Sequence, residues 1–289
     1  MKQLKNARLN MIVSMAIFGT IGWFVRNIDV SSGELALYRA VLAALLIAVY
    51  LFVTKQKIPV QNIKKEIPLL LASGIAMGIN WILLFEAYKY TTVSVATLSY
   101  YFAPVIVTVV SPFLFREKMT MKQIICFVMS TVGLVMITGI SGLGQGGNNF
   151  VGILFGLGAA VFYATVILLN KYIKNVEGIH RTFLQFIATI IILFPYVAVT
   201  SGVHLGNLDG KGWIFLLIVG LVHTGVTYCM YFSSLKELPG QKAAILSYID
   251  PLVAVLVSVL LLGETMTIWQ TVGGVLILGF TLWNEISSN

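Results

Sequence analysis

Apolar stretches of about 20 residues recur along the whole chain, each long enough to cross a bilayer as one α-helix. Short polar or glycine-containing breaks separate them. The pattern predicts an all-α integral membrane protein with about ten transmembrane helices. The predicted spans are residues 9–26, 34–54, 67–88, 92–115, 122–140, 150–170, 180–200, 212–234, 241–262 and 268–284.

One sequence pattern occurs twice, at positions 147 residues apart (251 minus 104 for its prolines). The first copy reads Ala-Thr-Leu-Ser-Tyr-Tyr-Phe-Ala-Pro, and the second reads Ala-Ala-Ile-Leu-Ser-Tyr-Ile-Asp-Pro. The matched pairs are Pro104 with Pro251, Glu117 with Glu264, Met119 with Met266, and Thr120 with Thr267. Because five spans per half is an odd number, the two halves enter the membrane from opposite faces. We predict two inverted five-helix repeats, at residues 1–140 and 150–285, an arrangement typical of transporters.

Basic residues are distributed unevenly between the predicted loops. If the N-terminus lies in the cytoplasm, 15 of the 19 Lys and Arg residues fall on the cytoplasmic side. The four that fall outside are Arg26, Arg39, Lys89 and Lys211. This positive-inside bias predicts a multi-pass protein of the cytoplasmic (cell) membrane with both termini inside. Topology thereby accounts for the net charge of +8, and no nucleic-acid partner is predicted.

Composition supports a membrane protein. Hydrophobic residues make up 58% of the chain, charged residues only 10%, and the mean hydropathy is +0.92. A soluble domain carries about 25% charged residues. Basic residues precede the first apolar run, which we predict to be an uncleaved span because no small-residue cleavage site follows it.

Sequence motifs of enzymes and metal sites are absent from the chain. It contains no glycine-rich phosphate loop, no His-Glu-x-x-His motif and no Gly-x-Ser-x-Gly elbow. Its three histidines are scattered, and Cys126 and Cys229 lack the spacing of metal ligands. We predict no catalysis, no metal and no cofactor. An ion channel is disfavoured because the intramembrane polar groups form no repeated ring.

A glutamate follows a proline-containing span in each half, and a glycine-bearing span comes next, with Gly133 in the first half and Gly273 and Gly274 in the second. Arg39 lies early in the second span. In these features the chain resembles the EamA family of the drug/metabolite transporter superfamily. The resemblance covers nearly the whole chain and implies ten helices in inverted five-helix repeats. It also implies a central cavity between the third, fourth, eighth and ninth spans, beside the first and sixth, with the fifth and tenth outside.

Two of the ionisable residues lie well inside predicted spans, where a charge is costly unless it faces protein or water. Asp250 directly precedes Pro251, which removes a backbone donor and predicts a kinked, polar site. The alternative is an acid buried for packing beside a hydroxyl or histidine. His223 lies near the middle of the eighth span, and together with Asp250 it is a candidate carrier of a coupling proton. The alternative is a hydrogen-bonded structural histidine.

Aromatic and polar residues recur together in both halves. Under the 147-residue offset, Asn80 matches Thr227 and Trp81 matches Tyr228, which places an amide or hydroxyl beside a large aromatic ring. Such a pair can hold the polar end and the apolar side chain of a zwitterion. The alternative is aromatic packing or an interfacial belt. The predicted substrate-binding residues are Asn80, Trp81, Phe85, Tyr101, Tyr163, His223, Thr227, Tyr228, Tyr248 and Asp250, with Trp23 and Asn170 as weaker candidates.

Other residues are predicted to serve architecture. The pairs Gly74 with Gly78 and Gly152 with Gly156 are small-xxx-small motifs, which let helix backbones approach closely. Glu117 and Glu264 are predicted to be caps that accept hydrogen bonds from free backbone amides of the following helix.

The function predicted from these features is secondary transport by alternating access around a central cavity. The family resemblance implies export of amino acids or similar metabolites, and the alternative is export of drugs or other amphipathic metabolites. The predicted partners are a small-molecule substrate and the lipid bilayer. A monomer is sufficient, because each chain contains its own pair of repeats.

Overall fold

The computed structural model describes residues 2–56, 63–115, 119–138, 147–176, 178–238, 243 and 246–286. All regular structure in these ranges is helical. The helices are α1 Lys2–Gly19, α2 Ile21–Val25, α3 Ser32–Val53, α4 Ile67–Tyr90, α5 Val93–Tyr100, α6 Ala103–Phe115, α7 Met121–Thr138, α8 Gly147–Tyr172, α9 Gly178–Thr200, α10 Gly210–Leu217, α11 Thr227–Glu237, α12 Ile249–Leu261 and α13 Ile268–Ile286. A π-helix, Ile218–Val226, joins α10 to α11.

Seven helical stretches in the described ranges are long and apolar enough to cross a membrane. They are Asn6–Val25, Ser32–Val53, Ile67–Tyr90, Val93–Leu114, Asn148–Tyr172, Gly178–Thr200 and Gly210–Ser234. Two shorter apolar helices cover Met121–Ile137 and Ile249–Leu261, and α13 follows them. These elements fit the predicted order of spans, and the division into ten spans and two inverted repeats stays a prediction.

Several helices begin at a side chain that satisfies a free backbone amide. Ser31 and Glu34 form a reciprocal capping box at the start of α3. Thr92 accepts a hydrogen bond from the amide of Val95 in α5, and Asp209 accepts one from the amide of Gly212 in α10 at 2.6 Å. Each cap satisfies one of the backbone amides that the start of a helix leaves free.

Helix contacts correspond between the two halves of the chain. Helix α4 packs against α8, and the equivalent pair in the other half is α11 against α1. Helix α3 packs against the π-helix, and the equivalent pair is α9 against α4. Helices α7 and α13 pack mainly against each other. At their crossing a Cβ on Gly133 would lie 2.6 Å from the carbonyl oxygen of Gly273, so both positions require glycine for this close approach.

Two sets of loop contacts define the opposite ends of the bundle. At the end we call the Glu66 face, Oε1 of Glu66 accepts hydrogen bonds from the amides of Lys174 and Asn175 at 2.8 and 3.0 Å. At the other end, the Glu264 face, an ion pair of 3.1 Å joins Arg26 to Glu264.

Candidate functional site

Two helices are interrupted at equivalent tyrosines. Tyr101 separates α5 from α6 with φ −71° and ψ 6°, and Tyr248 precedes α12 with φ −71° and ψ −7°. A proline lies three residues after each tyrosine and lacks the amide that would bond to the carbonyl of Tyr100 or Ser247. The predicted continuous spans 92–115 and 241–262 are therefore broken, and both breaks bring tyrosine side chains to the middle of the bundle.

Asp250 lies beside these breaks and faces a cavity. Its Oδ2 accepts a hydrogen bond of 2.5 Å from the hydroxyl of Tyr101, which belongs to the other half of the chain. Helix α1 reaches the same point, because a Cβ on Gly19 would lie only 2.5 Å from the carbonyl oxygen of Asp250. Among the residues that the structure describes, the carboxylate has one hydroxyl as its hydrogen-bond donor, and its second oxygen is available to a ligand.

A cavity of about 390 Å³, the large cavity, extends from Asp250 toward the Glu66 face, where Asn170 and Arg181 contribute to its wall. Aromatic residues form a large part of the remaining wall, beside aliphatic and polar ones. Its aromatic residues are Phe18, Tyr101, Tyr163, Tyr228, Tyr231, Phe232 and Tyr248. The rings of Tyr100 and Tyr163 stack with centroids 5.1 Å apart, which fixes one side of this wall.

A second cavity of about 120 Å³, the small cavity, lies on the side of Asp250 that is nearer the Glu264 face. Its wall includes Arg39, Trp81 and Tyr88. The two cavities share five wall residues, which are Phe18, Tyr101, Tyr163, Tyr228 and Asp250. The two cavities are therefore neighbours that meet at Asp250.

Arg39 occupies the centre of the protein and not an outer loop, which corrects its predicted position. Its side chain is 4% exposed, and its Nε donates a hydrogen bond of 2.6 Å to Thr224. Its guanidinium carbon lies 4.3 Å from the ring centroid of Trp81 and 5.7 Å from that of Phe85. A cation over an aromatic face is attracted by the ring quadrupole, so these contacts hold the guanidinium in place.

Six of the ten predicted substrate-binding residues line the two cavities. They are Trp81, Tyr101, Tyr163, Tyr228, Tyr248 and Asp250. Of the two weaker candidates, Asn170 lines the large cavity, whereas Trp23 packs its ring against Phe24 and Phe215. The structure thus brings together the aromatic and acidic part of the predicted set.

The other four predicted residues are outside the walls of these two cavities. Asn80 donates its amide to the carbonyl of Ala159 in α8 at 2.6 Å, and Thr227 donates its hydroxyl to the carbonyl of Val222. Phe85 is 1% exposed and packs beneath Arg39. These three side chains are engaged in helix packing, and their assignment to solute binding remains a prediction.

His223 lies in the π-helix and is 2% exposed. Its Nε2 is 2.8 Å from the hydroxyl of Thr20, and its ring packs edge-on against Phe24 with centroids 4.7 Å apart. No hydrogen bond or ion pair joins His223 to Asp250 within the described residues. The geometry matches the structural alternative for this histidine.

At the Glu264 face one carboxylate holds several partners together. Glu264 pairs with Arg26 and accepts hydrogen bonds from the amide of Val93 at 2.8 Å and from the hydroxyl of Ser258. Arg26 also donates to the carbonyl of Thr91 at 2.5 Å. Glu264 therefore binds a free helix amide, as predicted, but that amide belongs to α5 and not to the following helix. Glu117 lies outside the described residues.

The model of the EamA-like transporter family matches the chain over residues 6–139 and 150–284. The chain belongs to this family. This EamA-like transporter is 32% identical over 279 residues to the "Uncharacterized transporter YxxF" of Bacillus subtilis (strain 168), a match that covers 96% of this chain and 88% of the relative. It is 26% identical over 279 residues to an "Uncharacterized transporter" of Archaeoglobus fulgidus, with 95% of each chain covered.

A crystal structure with 16% sequence identity superimposes on this EamA-like transporter with a TM-score of 0.67 and covers 95% of both chains. At this identity the likeness shows the fold alone. Together with the apolar helices, family membership makes the chain a multi-pass membrane transporter of small solutes.

Sequence reasoning missed several residues of the EamA-like transporter that line the site. In the sequence, Arg39 lies early in the second span and is counted with the outer charges, but it is not among the predicted substrate-binding residues. Arg181 and Gln185 lie near the start of α9, the seventh span, which the family resemblance does not include in the cavity. The one signal that could have identified Arg39 as a residue of the site was its match to the family pattern.

Proposed function

We propose that this protein is a secondary transporter that exports amino acids or similar metabolites across the cytoplasmic membrane by alternating access. The observation that carries the proposal is the site around Asp250, which extends toward the Glu66 face through the large cavity, whereas the contacts of Glu264 hold the helices together at the other face. In an alternating-access carrier the solute site is accessible from one side of the membrane at a time, and a site that extends toward one face fits one of these states.

The aromatic wall supports an organic solute with an apolar part. Ligand sites are largely apolar and carry a few polar groups that fix orientation, and here those groups are tyrosine hydroxyls, Arg39 and Asp250. The free oxygen of the Asp250 carboxylate suits an ammonium group. An amino acid provides both parts.

The proposed direction rests on the distribution of charge. Because most Lys and Arg residues lie in the loops of the Glu66 face, the positive-inside bias makes this face cytoplasmic. The large cavity then opens to the cytoplasm, from which an exporter loads its solute. Labelling of Gln56→Cys and Gly206→Cys with an impermeant maleimide, in a chain without Cys126 and Cys229, tests the orientation. Intact cells should label residue 206 and leave residue 56 unlabelled.

Flux into proteoliposomes tests the function. A panel of labelled amino acids is offered with and without a pH gradient to the wild type, Trp81→Ala and Asp250→Asn. Trp269→Ala is the matched control, since Trp269 is 64% exposed on α13 and lines neither cavity. We expect saturable flux that the two site variants lose and the control keeps. Absence of flux for every amino acid would reject this solute class, and flux unchanged by both site variants would reject the site.

A further inference from the structure

Arg39 is a buried cation without an acidic partner. It is 4% exposed within the membrane-spanning helix α3, and no ion pair in the described ranges involves it. Its single hydrogen bond there goes from Nε to Thr224. The two terminal amino groups of the guanidinium therefore have no acceptor in the described part of the protein.

This arrangement differs from that of the other buried charges. Glu34 is 2% exposed but accepts hydrogen bonds from Ser31, Tyr38 and the amide of His204. Glu264 pairs with Arg26. Since removing a charge from water is costly unless the charge is paired, the unpaired state of Arg39 points to a partner that arrives from outside the protein.

The position of Arg39 defines where that partner binds. Its guanidinium borders the small cavity together with Asp250, and Thr224 and Trp81 hold it in one orientation. An arginine fixed in this way presents parallel N–H donors that match the two oxygens of a carboxylate. The aromatic contact attracts the guanidinium without occupying those donors.

The two cavities suit two different parts of one solute. The small cavity, at about 120 Å³, has the size of a charged head group and has opposite charges on its wall. The large cavity, at about 390 Å³, is lined largely by aromatic and aliphatic residues and has room for an apolar side chain. We propose that Arg39 binds the carboxylate of the solute while Asp250 binds its ammonium group, so that the carrier selects zwitterions with an apolar side chain. This inference rests on the proposed function and adds the anion receptor to it.

Four probes that differ only in their charged groups test this assignment. L-Phenylalanine carries both charges, L-phenylalaninamide lacks the carboxylate, 3-phenylpropionate lacks the ammonium group, and 3-phenylpropionamide lacks both. Binding of each probe is measured by isothermal titration calorimetry on the full chain in lipid nanodiscs. The proteins are the wild type, Arg39→Gln, Asp250→Asn and the matched control Arg8→Gln, whose side chain is exposed on α1.

We expect Arg39→Gln to weaken binding of L-phenylalanine and 3-phenylpropionate at least tenfold and to change binding of L-phenylalaninamide less than threefold. Asp250→Asn should show the reverse selectivity, and Arg8→Gln should match the wild type. An equal loss for all probes in Arg39→Gln would make Arg39 a structural residue and overturn the assignment.

Binding by the wild type and by Asp250→Asn distinguishes failure of this inference from failure of the proposed function. Asp250-dependent binding of L-phenylalaninamide without any binding of 3-phenylpropionate or preference for L-phenylalanine would overturn the anion receptor and leave the amine site standing. Binding of none of the four probes would overturn both. If Arg39→Gln does not fold, the preference of the wild type for 3-phenylpropionate over 3-phenylpropionamide decides, with at least tenfold expected.

Discussion

The hydroxyl of Tyr101 donates a hydrogen bond to Oδ2 of Asp250 at 2.5 Å, and this bond connects the helix break of one half of the chain to that of the other. Tyr101 ends α5, and Asp250 lies two residues after the equivalent Tyr248. A movement of either half relative to the other therefore acts directly on the acid at the centre of the site.

Tyr101→Phe should reduce flux of the transported solute about tenfold, because the carboxylate loses a hydrogen bond of the kind worth about 1.5–3 kcal/mol to a charged group. In an Asp250→Asn background the same change should have less than a threefold effect, since the two residues act as a pair. The measurement is proteoliposome flux for the four chains of this double-mutant cycle. Tyr196→Phe, at an exposed tyrosine of α9, is the control. Equal reductions in both backgrounds would mean that the bond has no role in transport.

Glu264→Gln should loosen the Glu264 face, because Arg26 loses its acidic partner and the amide of Val93 loses a charged acceptor. The reporter is Ser94→Cys, at a buried position beside Val93, labelled by an impermeant maleimide. We expect about tenfold faster labelling, which corresponds to about 1.4 kcal/mol. Glu86→Gln is the control, since the pair of Glu86 with Lys89 is partly exposed and such pairs contribute little. Equal labelling rates in both variants would show that Glu264 does not hold this face closed.

Gly273→Ala should destabilise the protein by about 1–3 kcal/mol through overpacking. The added Cβ would lie 2.4 Å from the carbonyl oxygen of Gly133. Gly279→Ala on the same helix meets nothing within 4 Å and should be neutral or up to about 1 kcal/mol more stable. Thermal unfolding in detergent measures both, and solute affinity should not change in either. A Gly273→Ala protein as stable as Gly279→Ala would contradict the close approach of α7 and α13.

His223→Gln should keep the pH dependence of flux, because His223 contacts Thr20 and Phe24 and lines neither cavity. Asp250→Asn should remove any pH dependence that the wild type shows, since this carboxyl group faces the cavity among Tyr101, Arg39 and Tyr163. Flux at a series of pH values in proteoliposomes separates the two. Loss of the pH dependence in His223→Gln would restore this histidine as a coupling residue.

The sequence predicted the helical membrane class, the order of the apolar segments and the position of Asp250 at a cavity, because these depend on local patterns. Length and hydropathy identify a span, and an acid beside a proline within a span is conspicuous. The breaks at Tyr101 and Tyr248 were not predicted, although the prolines marked their neighbourhood, since a proline can kink a helix without ending it.

Side-chain partners could not be read from the sequence. Asn80 and Trp81 are adjacent, yet one donates to Ala159 in α8 and the other lies under Arg39. Which of two neighbours faces the cavity depends on the rotation of α4 against α8 and α9, and that rotation is set by contacts far away in sequence. The π-helix has the same effect on His223, because its wider turn changes the face on which the following side chains lie.

The contacts of Glu264 have a consequence for kinetics. This one carboxylate holds Arg26, the start of α5 and Ser258 together. Releasing one partner at a time would leave a charge unsatisfied in a site with little access to water, so the contacts are expected to break in a single concerted step. We then expect opening of this face to have one energy barrier, which depends on a residue at the rim of the protein, away from the solute.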